Sequence, residues 1–324
     1  MVFDLHCDTL WIIQNSKDET LQKGSSLQID EKKLIKGGYF AQCFAMYVPA
    51  DTPAPAAVLD DMIERYYLEI ANCERLRPVL CFDDFARNKA AGKISAVLTM
   101  EDACPLGGDL KNLQKAYEKG VQMIALTGNF PNEVGYPNYR NFVRGEKPDM
   151  LTPETERGLT NFGFSLVEEM NRLGMVVDVS HLSDKGFYDV LSVAKKPIVA
   201  SHSNARGVCR NVRNLTDNML KRLADNGGVT GINYAAGFLC ENEQKGRQTI
   251  AYAVEHIRYI RDKIGADHIA LGSDFDGIQN DIELSDCSKT PLLLQALERA
   301  KLTADEIEKI AYKNALRVFK DNMA

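Results

Sequence analysis

The chain has 324 residues, of which 45% are hydrophobic and 26% charged, and this composition excludes a disordered chain and allows a large buried core. Its formal net charge of -6 and its pI near 5.5 leave no broad basic surface, which argues against nucleic acid or an anionic membrane as a partner. Eight cysteines without a CxxC pair favour reduced thiols over a disulfide scaffold. No basic and apolar signal sequence opens the chain and no stretch approaches about 20 apolar residues, so we expect a cytoplasmic protein with a small-molecule partner.

Short apolar runs alternate with longer amphipathic stretches, which is typical of repeated strand–helix units around a parallel sheet. Eight runs predict strands, and eight is the strand number of a TIM barrel. The predicted strands span 2–8, 41–48, 96–102, 122–128, 176–181, 198–203, 229–234 and 269–275. Because no repeat or long flexible linker divides the chain, the sequence predicts an α/β fold, a (β/α)8 TIM barrel forming a single domain over residues 1–324.

Capping signals mark two of the intervening helices. Thr160 can cap the start of a helix that Gly174 ends in the left-handed conformation, just before the strand at 176–181. Thr303 and Glu306 have capping-box spacing at the start of the last amphipathic segment. We expect this last segment to close the outer layer of the barrel.

One long segment, 129–152, is rich in Asn, Pro, Gly and aromatic residues and follows the fourth predicted strand. Loops of this length are usually functional or mobile, and this one leaves the rim where barrel active sites are built. The segment is therefore a candidate active-site lid or pocket wall. The alternative is a surface loop without a catalytic role.

Chemically active side chains stand at the ends of the predicted strands. They are His6, Asp8, Glu101, His181, His202 and Asp274. The carboxyl ends of barrel strands converge on one mouth, whereas the opposite ends serve stability. We therefore expect these six side chains to lie close together.

His6 and Asp8 are two residues apart on a strand, so both side chains leave the same face while Cys7 points the other way. An imidazole with a carboxylate suits zinc and comparable divalent ions, and the absence of thiolate pairs argues against a structural zinc site. Taken alone, an HxD pair is more often a hydrogen-bonded structural pair. The other strand-end ligands favour a catalytic metal.

If a metal is bound, Glu101 could bridge two ions. His6 and Asp8 would complete one ion's ligands, and His181 and His202 those of the other. Two divalent ions carry more charge than Asp8 and Glu101 neutralise, and the remaining positive field would stabilise a metal-bridging hydroxide as the nucleophile. The alternative reading of Glu101 is a helix-capping or surface acid.

Three further polar side chains are candidates at the same rim. Asp274 can accept the proton of the attacking water and pass it to the leaving amine, or it can cap a helix. Asp276 lies in the following loop and is expected to orient backbone. Arg206 and Arg213 both follow the strand at 198–203, and an arginine there can bind a carboxylate through two parallel hydrogen bonds. Position alone does not choose between these two arginines.

Several motifs occur together along nearly the whole chain. They are DLHCDTLW, MED, GLTNFGFSLVEEMNRLGMVVDVSHLSD, KKPIVASHSNARGVCRNVRNLTDNML and ALGSDFDG. In this order and spacing, they resemble the membrane dipeptidase (renal dipeptidase) family. The resemblance implies a TIM barrel of the amidohydrolase type with two zinc ions that hydrolyses dipeptides, including those with a D-amino acid at the C-terminal position.

The resemblance also assigns roles residue by residue. His6 and Asp8 correspond to ligands of the first zinc ion, Glu101 to the bridging carboxylate, and His181 and His202 to ligands of the second. Asp274 corresponds to the proton-transferring acid, which also contacts the substrate. Arg213 corresponds to the residue that binds the terminal carboxylate of the substrate.

The chain departs from the family pattern in two places. Gly128 stands where several members have a histidine that polarises the scissile carbonyl, a function that Asn129, the 129–152 segment or the metals can replace. The tyrosine of the family's NFY motif is missing or shifted, which makes Tyr234 the candidate substrate contact. Two alternatives stay open: another metal-dependent hydrolase of an amide, lactone or ester, and a catalytically weak ligand-binding homologue. The sequence also leaves open whether the chain forms a homodimer.

Overall fold

Parallel strands close into a barrel in the computed structural model, which describes residues 1–16, 18–22 and 26–323. The strands of these residues are β1 (Val2–Asp4), β2 (Tyr39–Tyr47), β3 (Leu76–Pro78), β4 (Ile94–Glu101), β5 (Val121–Ala125), β6 (Val176–Asp178), β7 (Val199–Ala200), β8 (Val229–Ile232) and β9 (Ile269–Leu271). Round the ring the order is β1, β2, β4, β5, β6, β7, β8 and β9, and β9 returns to β1 through the pairing of Leu271 with Asp4. The eight predicted strands are the strands of this ring, and the fold is the predicted (β/α)8 TIM barrel.

The strand β3 is not predicted by the sequence pattern. It has three residues, ends in Pro78, and pairs with the first residues of β4 outside the closed ring. The ring strands in turn end earlier than their apolar runs: β1 stops at Asp4, although the run continues to residue 8. The remaining residues of each run rise out of the ladder at the mouth of the barrel, where their side chains are free to form a site.

Helices cover the barrel between its strands. They are α1 (Thr9–Asn15), α2 (Glu31–Gly37), α3 (Pro55–Asn72), α4 (Asp83–Ala90), α5 (Leu110–Glu118), α6 (Asn161–Leu173), α7 (Asp184–Val193), α8 (Asp217–Asp225), α9 (Ala236–Leu239), α10 (Glu243–Gly246), α11 (Thr249–Ile264), α12 (Thr290–Arg299), α13 (Ala304–Glu308) and α14 (Asn314–Met323). The caps follow the sequence signals: the Thr160 side chain accepts from Gly163 N–H at the start of α6, which ends at Gly174 with a φ of 80°. Thr303 and Glu306 form the capping box of α13.

The last helix, α14, closes the bottom of the barrel. The sequence pattern predicts a position in the outer layer instead. Its Val318 and Phe319 are fully buried, and the Phe319 ring lies 5.3 Å from the Phe3 ring of β1, centroid to centroid. The amphipathic pattern shows that one face of this helix is buried, but it does not show against which surface. With the amino end of the barrel filled by apolar side chains, the carboxyl end is the open one.

Within the described residues, every helix is too short or too polar to span a lipid bilayer.

Candidate metal centre and active site

Six polar side chains converge at the carboxyl end of the barrel. They are His6 and Asp8 after β1, Glu101 at the end of β4, His181 after β6, His202 after β7 and Asp274 after β9. The first five residues are at most 8% exposed, and the Asp274 side chain is 13% exposed. The chain therefore gathers imidazoles and carboxylates at one largely buried point.

Three carboxylates surround the imidazole of His6. Its Nε2 lies 3.0 Å from Oε2 of Glu101, 3.4 Å from Oδ2 of Asp8 and 3.7 Å from Oδ1 of Asp274. These short contacts are not hydrogen bonds: among the described residues, His6 Nε2, Asp8 Oδ1 and Glu101 Oε2 are buried without a hydrogen-bond partner. Buried polar atoms are nearly always satisfied, so unpartnered atoms that face one point are typical of ligands to a shared cation.

Glu101 lies between two groups of ligands. Its Oε2 faces His6, whereas its Oε1 lies 3.1 Å from Nε2 of His181. The Nε2 of His202 is in turn 2.9 Å from Nε2 of His181. The two oxygens of one carboxylate thus face different histidines, which is the arrangement that a bridging ligand needs.

Ser201 and Asp178 determine which ring nitrogen of His202 carries the proton. The Ser201 hydroxyl donates to Oδ2 of Asp178, so its oxygen accepts from Nδ1–H of His202 at 2.7 Å. Backbone N–H groups of Ser180 and Ser201 donate to the other oxygen of Asp178. This chain of hydrogen bonds leaves the lone pair of His202 on Nε2, which faces the site, and such outer partners orient metal-binding histidines in general.

His181 is oriented in the same way by Asn129. The amide oxygen of Asn129 lies 2.9 Å from Nδ1 of His181. Because an amide oxygen only accepts, Nδ1 carries the proton and Nε2 carries the lone pair. Both histidines therefore direct unprotonated nitrogens at the same point.

The electrostatics of the cluster favour a bound cation. Burial, with the charge of His6 in second place, lowers the pKa of His202 well below its ordinary value, so this ring is neutral at neutral pH, the form that binds a metal. Burial and the charge of Glu101 raise the pKa of Asp8 well above its ordinary value. Burial opposes a charge on His6, but Asp8 and Glu101 outweigh it and raise the pKa of His6 well above its ordinary value. The residues present thus fit a divalent cation with nitrogen and oxygen ligands.

Two residues of the cluster have left-handed backbone conformations. The φ angles of His181 and Asp274 are 69° and 65°, which residues other than glycine adopt rarely. Such conformations cost of order 1–3 kcal/mol and persist where the surrounding structure imposes them. They turn both side chains into the mouth directly after the strands end.

A cavity of about 790 Å³ opens above the cluster. This volume is within the range of small-molecule sites. Its wall combines ligand candidates with apolar side chains and includes Asp8, Trp11, Tyr47, Glu101, Asn129, Tyr139, Lys147, Met150, His181, Arg213, Ala235, Phe238, Asp274 and Ile278. The cavity therefore gives a small molecule direct access to the buried imidazoles and carboxylates.

The 129–152 segment forms one wall of this cavity. Its lining side chains are Asn129, Tyr139, Lys147 and Met150. The segment is also tied to the loop after β2, since Arg144 Nε and Nη2 bond the two carboxylate oxygens of Asp51 at 2.6 and 2.5 Å. The segment therefore lies in the pocket wall and is not a surface loop remote from the site.

The sequence matches a known protein family. A family model described as membrane dipeptidase, peptidase family M19, matches residues 1–324. The chain belongs to the membrane dipeptidase family. It is thus a metallopeptidase that hydrolyses dipeptides.

Relatives in this family cover most of the chain. An uncharacterized dipeptidase of Schizosaccharomyces pombe is 33% identical over 98% of this chain and 80% of its own length. A metallopeptidase from Rhodobacter sphaeroides, solved with a phosphinate mimic of the dipeptide L-Ala-D-Ala, superposes with a TM-score of 0.88 at 27% identity, covering 99% of both chains. The structure of dipeptidase AC, a metallopeptidase of family M19, superposes with a TM-score of 0.89 at 28% identity, covering 99% of this chain and 98% of that one.

The structure separates the two candidate arginines. Arg206 is fully engaged: it donates to both oxygens of Asp184 at 2.7 and 2.8 Å and to two backbone carbonyls. Arg213 lines the cavity, is 2% exposed, and among the described residues has no hydrogen-bond partner for Nε or Nη1. Its guanidinium carbon lies 5.4 Å from the ring centroid of Phe238. Arg213 is therefore the arginine available to a ligand.

Tyr234 does not lie where the sequence prediction places it. The residue is fully buried, packs against Phe275 with 5.5 Å between ring centroids, and is not part of the cavity wall. Its neighbour Ala235 lines the cavity instead. Because side chains alternate in direction as the chain leaves a strand, a shift of one residue turns the tyrosine into the core.

Sequence reasoning missed Asn233, which holds Asp274 in place. Its Nδ2 donates to Oδ2 of Asp274 at 2.8 Å and also to the carbonyl of His202. Asp276 orients backbone as expected, but at long range, by accepting from the N–H groups of Gln28 and Ile29. These contacts join distant parts of the chain, and no local sequence pattern indicates them.

Gly128, the departure from the family pattern, is packed tightly. A Cβ atom at this position would lie 2.8 Å from Oδ2 of Asp102 and 3.3 Å from its Cβ. Asp102 is itself fully buried, with a φ of 71°. The backbone at residue 128 therefore leaves no room for a side chain in its present position.

Proposed function

We propose that this chain is a zinc-dependent dipeptidase that holds two zinc ions and accepts dipeptides with either an L- or a D-residue at the C-terminal position. The observation that carries the proposal is the position of Glu101, whose two oxygens face His6 and His181 separately. Support for the D-residue comes from the Rhodobacter sphaeroides metallopeptidase, whose bound ligand mimics L-Ala-D-Ala.

In this proposal, His6, Asp8 and Glu101 hold the first zinc ion, and Glu101, His181 and His202 hold the second. The unpartnered ligand atoms and the two lone pairs on the imidazoles of His181 and His202 support this assignment. When bound, two such ions supply an activated water as nucleophile at neutral pH and polarise the scissile carbonyl.

Arg213 would bind the terminal carboxylate of the dipeptide. A buried guanidinium with unpartnered N–H groups suits a carboxylate, because charge-assisted parallel hydrogen bonds satisfy both groups at once. Phe238 supports the guanidinium on one side. Because Arg213 and the metal ligands line one cavity that the barrel closes below, a carboxylate bound at Arg213 would leave room for short peptides only.

Asp274 would carry the proton of the reaction. Asn233 donates to its Oδ2, which leaves Oδ1 on the side of His6. In hydrolysis a water oxygen bonds to the carbonyl carbon, the C–N bond breaks, and one proton passes from the water to the leaving amine. Asp274 is placed to accept this proton at Oδ1 and to return it to the amine.

The 129–152 segment would act as a lid as well as a wall. Backbone N–H groups of Asn138 and Val212 donate to the carbonyls of His181 and Met150 and hold its two ends. Between them, the ion pair of Arg144 with Asp51 is exposed to solvent, at 60% and 45% of the two side chains, so it can open at little cost. A closed lid would exclude water from the reaction.

The cytoplasmic location expected from the sequence stays a prediction.

The test is a substrate panel with zinc-loaded protein. We expect release of free amino acids from L-L and L-D dipeptides and much slower cleavage of tripeptides and of dipeptides with an amidated C-terminus. Loss of the activity with a chelator and its return with zinc would support the metal assignment. Inactivity on every dipeptide, with zinc bound, would contradict the proposal.

A further inference from the structure

The side-chain amide of Asn129 has one atom bonded to a neighbouring residue and one that is not. Its Oδ1 lies 2.9 Å from Nδ1 of His181, so the amide oxygen is used by this histidine. The residue is half-buried and lines the cavity, and no other described residue provides a hydrogen-bond partner for its Nδ2. The amide nitrogen therefore offers its N–H groups to whatever the cavity holds.

The backbone around Asn129 is fixed by buried contacts. Nδ2 of Asn132 donates to Oδ1 of Asp102 at 2.7 Å and to the carbonyl of Leu126 at 2.9 Å, which closes the turn after β5. Gly128 packs directly against Asp102 within this turn. A side chain on such a braced turn is oriented before any ligand binds, and preorganised donors contribute most to catalysis.

The side chain of Asn129 is also close to the reacting region. His181, which donates to the Asn129 oxygen, lies 3.1 Å from Oε1 of Glu101 through its opposite ring nitrogen, so the amide is separated from the bridging carboxylate by the width of one imidazole. Oδ1 of Asp274 lies 3.7 Å from Nε2 of His6, and Asp274 lines the same cavity as Asn129. The amide and the group that would move the proton thus both face a ligand in this cavity.

We propose that Asn129 is a catalytic residue with two functions: its oxygen orients His181, and its amide N–H group donates to the oxygen of the scissile carbonyl as negative charge develops there. This inference rests on the proposed function. No covalent bond to Asn129 forms or breaks, and its contribution is one hydrogen bond that strengthens in the transition state. The same residue would then link the geometry of the metal ligands to that of the substrate.

The two functions can be separated with two substitutions. Asn129→Asp keeps an oxygen acceptor for His181 and removes the N–H donor, whereas Asn129→Ala removes both. Asn161→Asp is the matched control, since it adds the same charge at an exposed residue of α6 outside the cavity wall.

For Asn129→Asp we expect kcat on a dipeptide to fall by about 10²–10³-fold, the usual effect of losing one such donor. KM should change by less than about threefold, because the bond forms mainly in the transition state. A phosphinate analogue of the dipeptide should bind more weakly in proportion to kcat/KM. Asn161→Asp should match the wild type.

For Asn129→Ala we expect, in addition, that zinc is removed at a chelator concentration about 10–100-fold lower than for the wild type, the usual effect of losing a partner of a metal-binding histidine. Zinc retention in Asn129→Asp should equal that of the wild type. A kcat of Asn129→Asp within about threefold of wild type would overturn the donor function, and normal zinc retention in Asn129→Ala would overturn the orienting function. Zinc retention is measured without substrate, so it tests the orienting function even if wild-type protein cleaves no dipeptide, a result that would instead contradict the proposed function.

Discussion

The Nε2 atoms of His181 and His202 face each other at 2.9 Å, although each ring already gives its Nδ1–H to an acceptor. Two lone pairs at this distance repel each other unless a positive charge lies near both. The hydrogen bonds to the two Nδ1 atoms therefore orient both rings to share a cation.

Replacing Glu101 tests the bridging position. Glu101→Gln keeps the shape of the side chain but offers one ligand oxygen instead of two, so we expect the bound zinc to fall from about two equivalents per chain to one or fewer. Elemental analysis of the dialysed protein measures this directly. Glu118→Gln, on the exposed face of α5, is the control. Two equivalents retained by Glu101→Gln would show that this carboxylate does not join the ions.

Replacing Ser201 tests the support of His202. Ser201→Ala removes the acceptor of Nδ1–H and leaves Oδ2 of Asp178 without its hydroxyl donor. We expect zinc affinity to fall about 10–100-fold, with little change in the structure of the barrel. Competition with a chromogenic chelator gives the affinity. Ser203→Ala removes an equally buried hydroxyl whose nearest polar side-chain contact is Ser180 at 3.4 Å, and it should bind zinc as the wild type does.

Replacing Arg213 tests recognition of the substrate carboxylate. Charge-assisted hydrogen bonds contribute about 1.5–3 kcal/mol, so Arg213→Met should lower kcat/KM on dipeptides by roughly 10–10²-fold. Arg210→Met changes an exposed arginine of the same segment and should have no effect. With a dipeptide amide as substrate, wild type and Arg213→Met should react at similar low rates. A deficit of equal size on the amide would mean that Arg213 does not bind the carboxylate.

Gly128→Ala tests the tight packing at the departure from the family pattern. Because its Cβ would lie 2.8 Å from Oδ2 of Asp102, we expect a loss of about 1–3 kcal/mol in the free energy of unfolding. Denaturant titration measures the loss. Gly237→Ala, whose Cβ would meet no atom within 4 Å, should leave the stability unchanged or raise it slightly. Equal stability of the two variants would show that the turn at residue 128 can relax.

His256 makes the stability depend on pH. Burial lowers its pKa to about 4, while its Nδ1 accepts from Ala205 N–H, so the folded state resists protonation. The unfolded chain takes up this proton below its ordinary pKa near 6.5, and the contribution is therefore complete above that pH and is lost as the pH falls toward 4.

Between pH 7.5 and pH 5 this loss should amount to about 2 kcal/mol in the wild type. In His256→Gln, the difference in the free energy of unfolding between the two pH values should be smaller by that amount. Denaturant titrations of zinc-free protein measure it. His268→Gln, a partly buried histidine at the amino end of β9, is the control. An unchanged pH dependence in His256→Gln would contradict the assignment.

Much of this architecture could be predicted from residue patterns, because strand–helix alternation and strand-end chemistry are local. The apolar runs indicate the ring of eight strands, and the geometry of any such barrel brings His6 and His202 to one mouth. The short strand β3 escapes prediction, since three residues ending in Pro78 carry no periodic signal. The buried face of α14 is visible in its pattern, but the surface it covers is not.

The sequence by itself determined the fold class, the capped helices and the kinds of side chain at the barrel mouth, since these depend on the order of neighbouring residues. The family resemblance selected Arg213 over Arg206, but only the tertiary structure decided that Arg206 is already engaged, that Tyr234 turns into the core, and that Asn233 holds Asp274. Each of these outcomes depends on which distant groups satisfy a buried polar or aromatic side chain. That pairing is a property of the packed barrel and cannot be read from spacing along the chain.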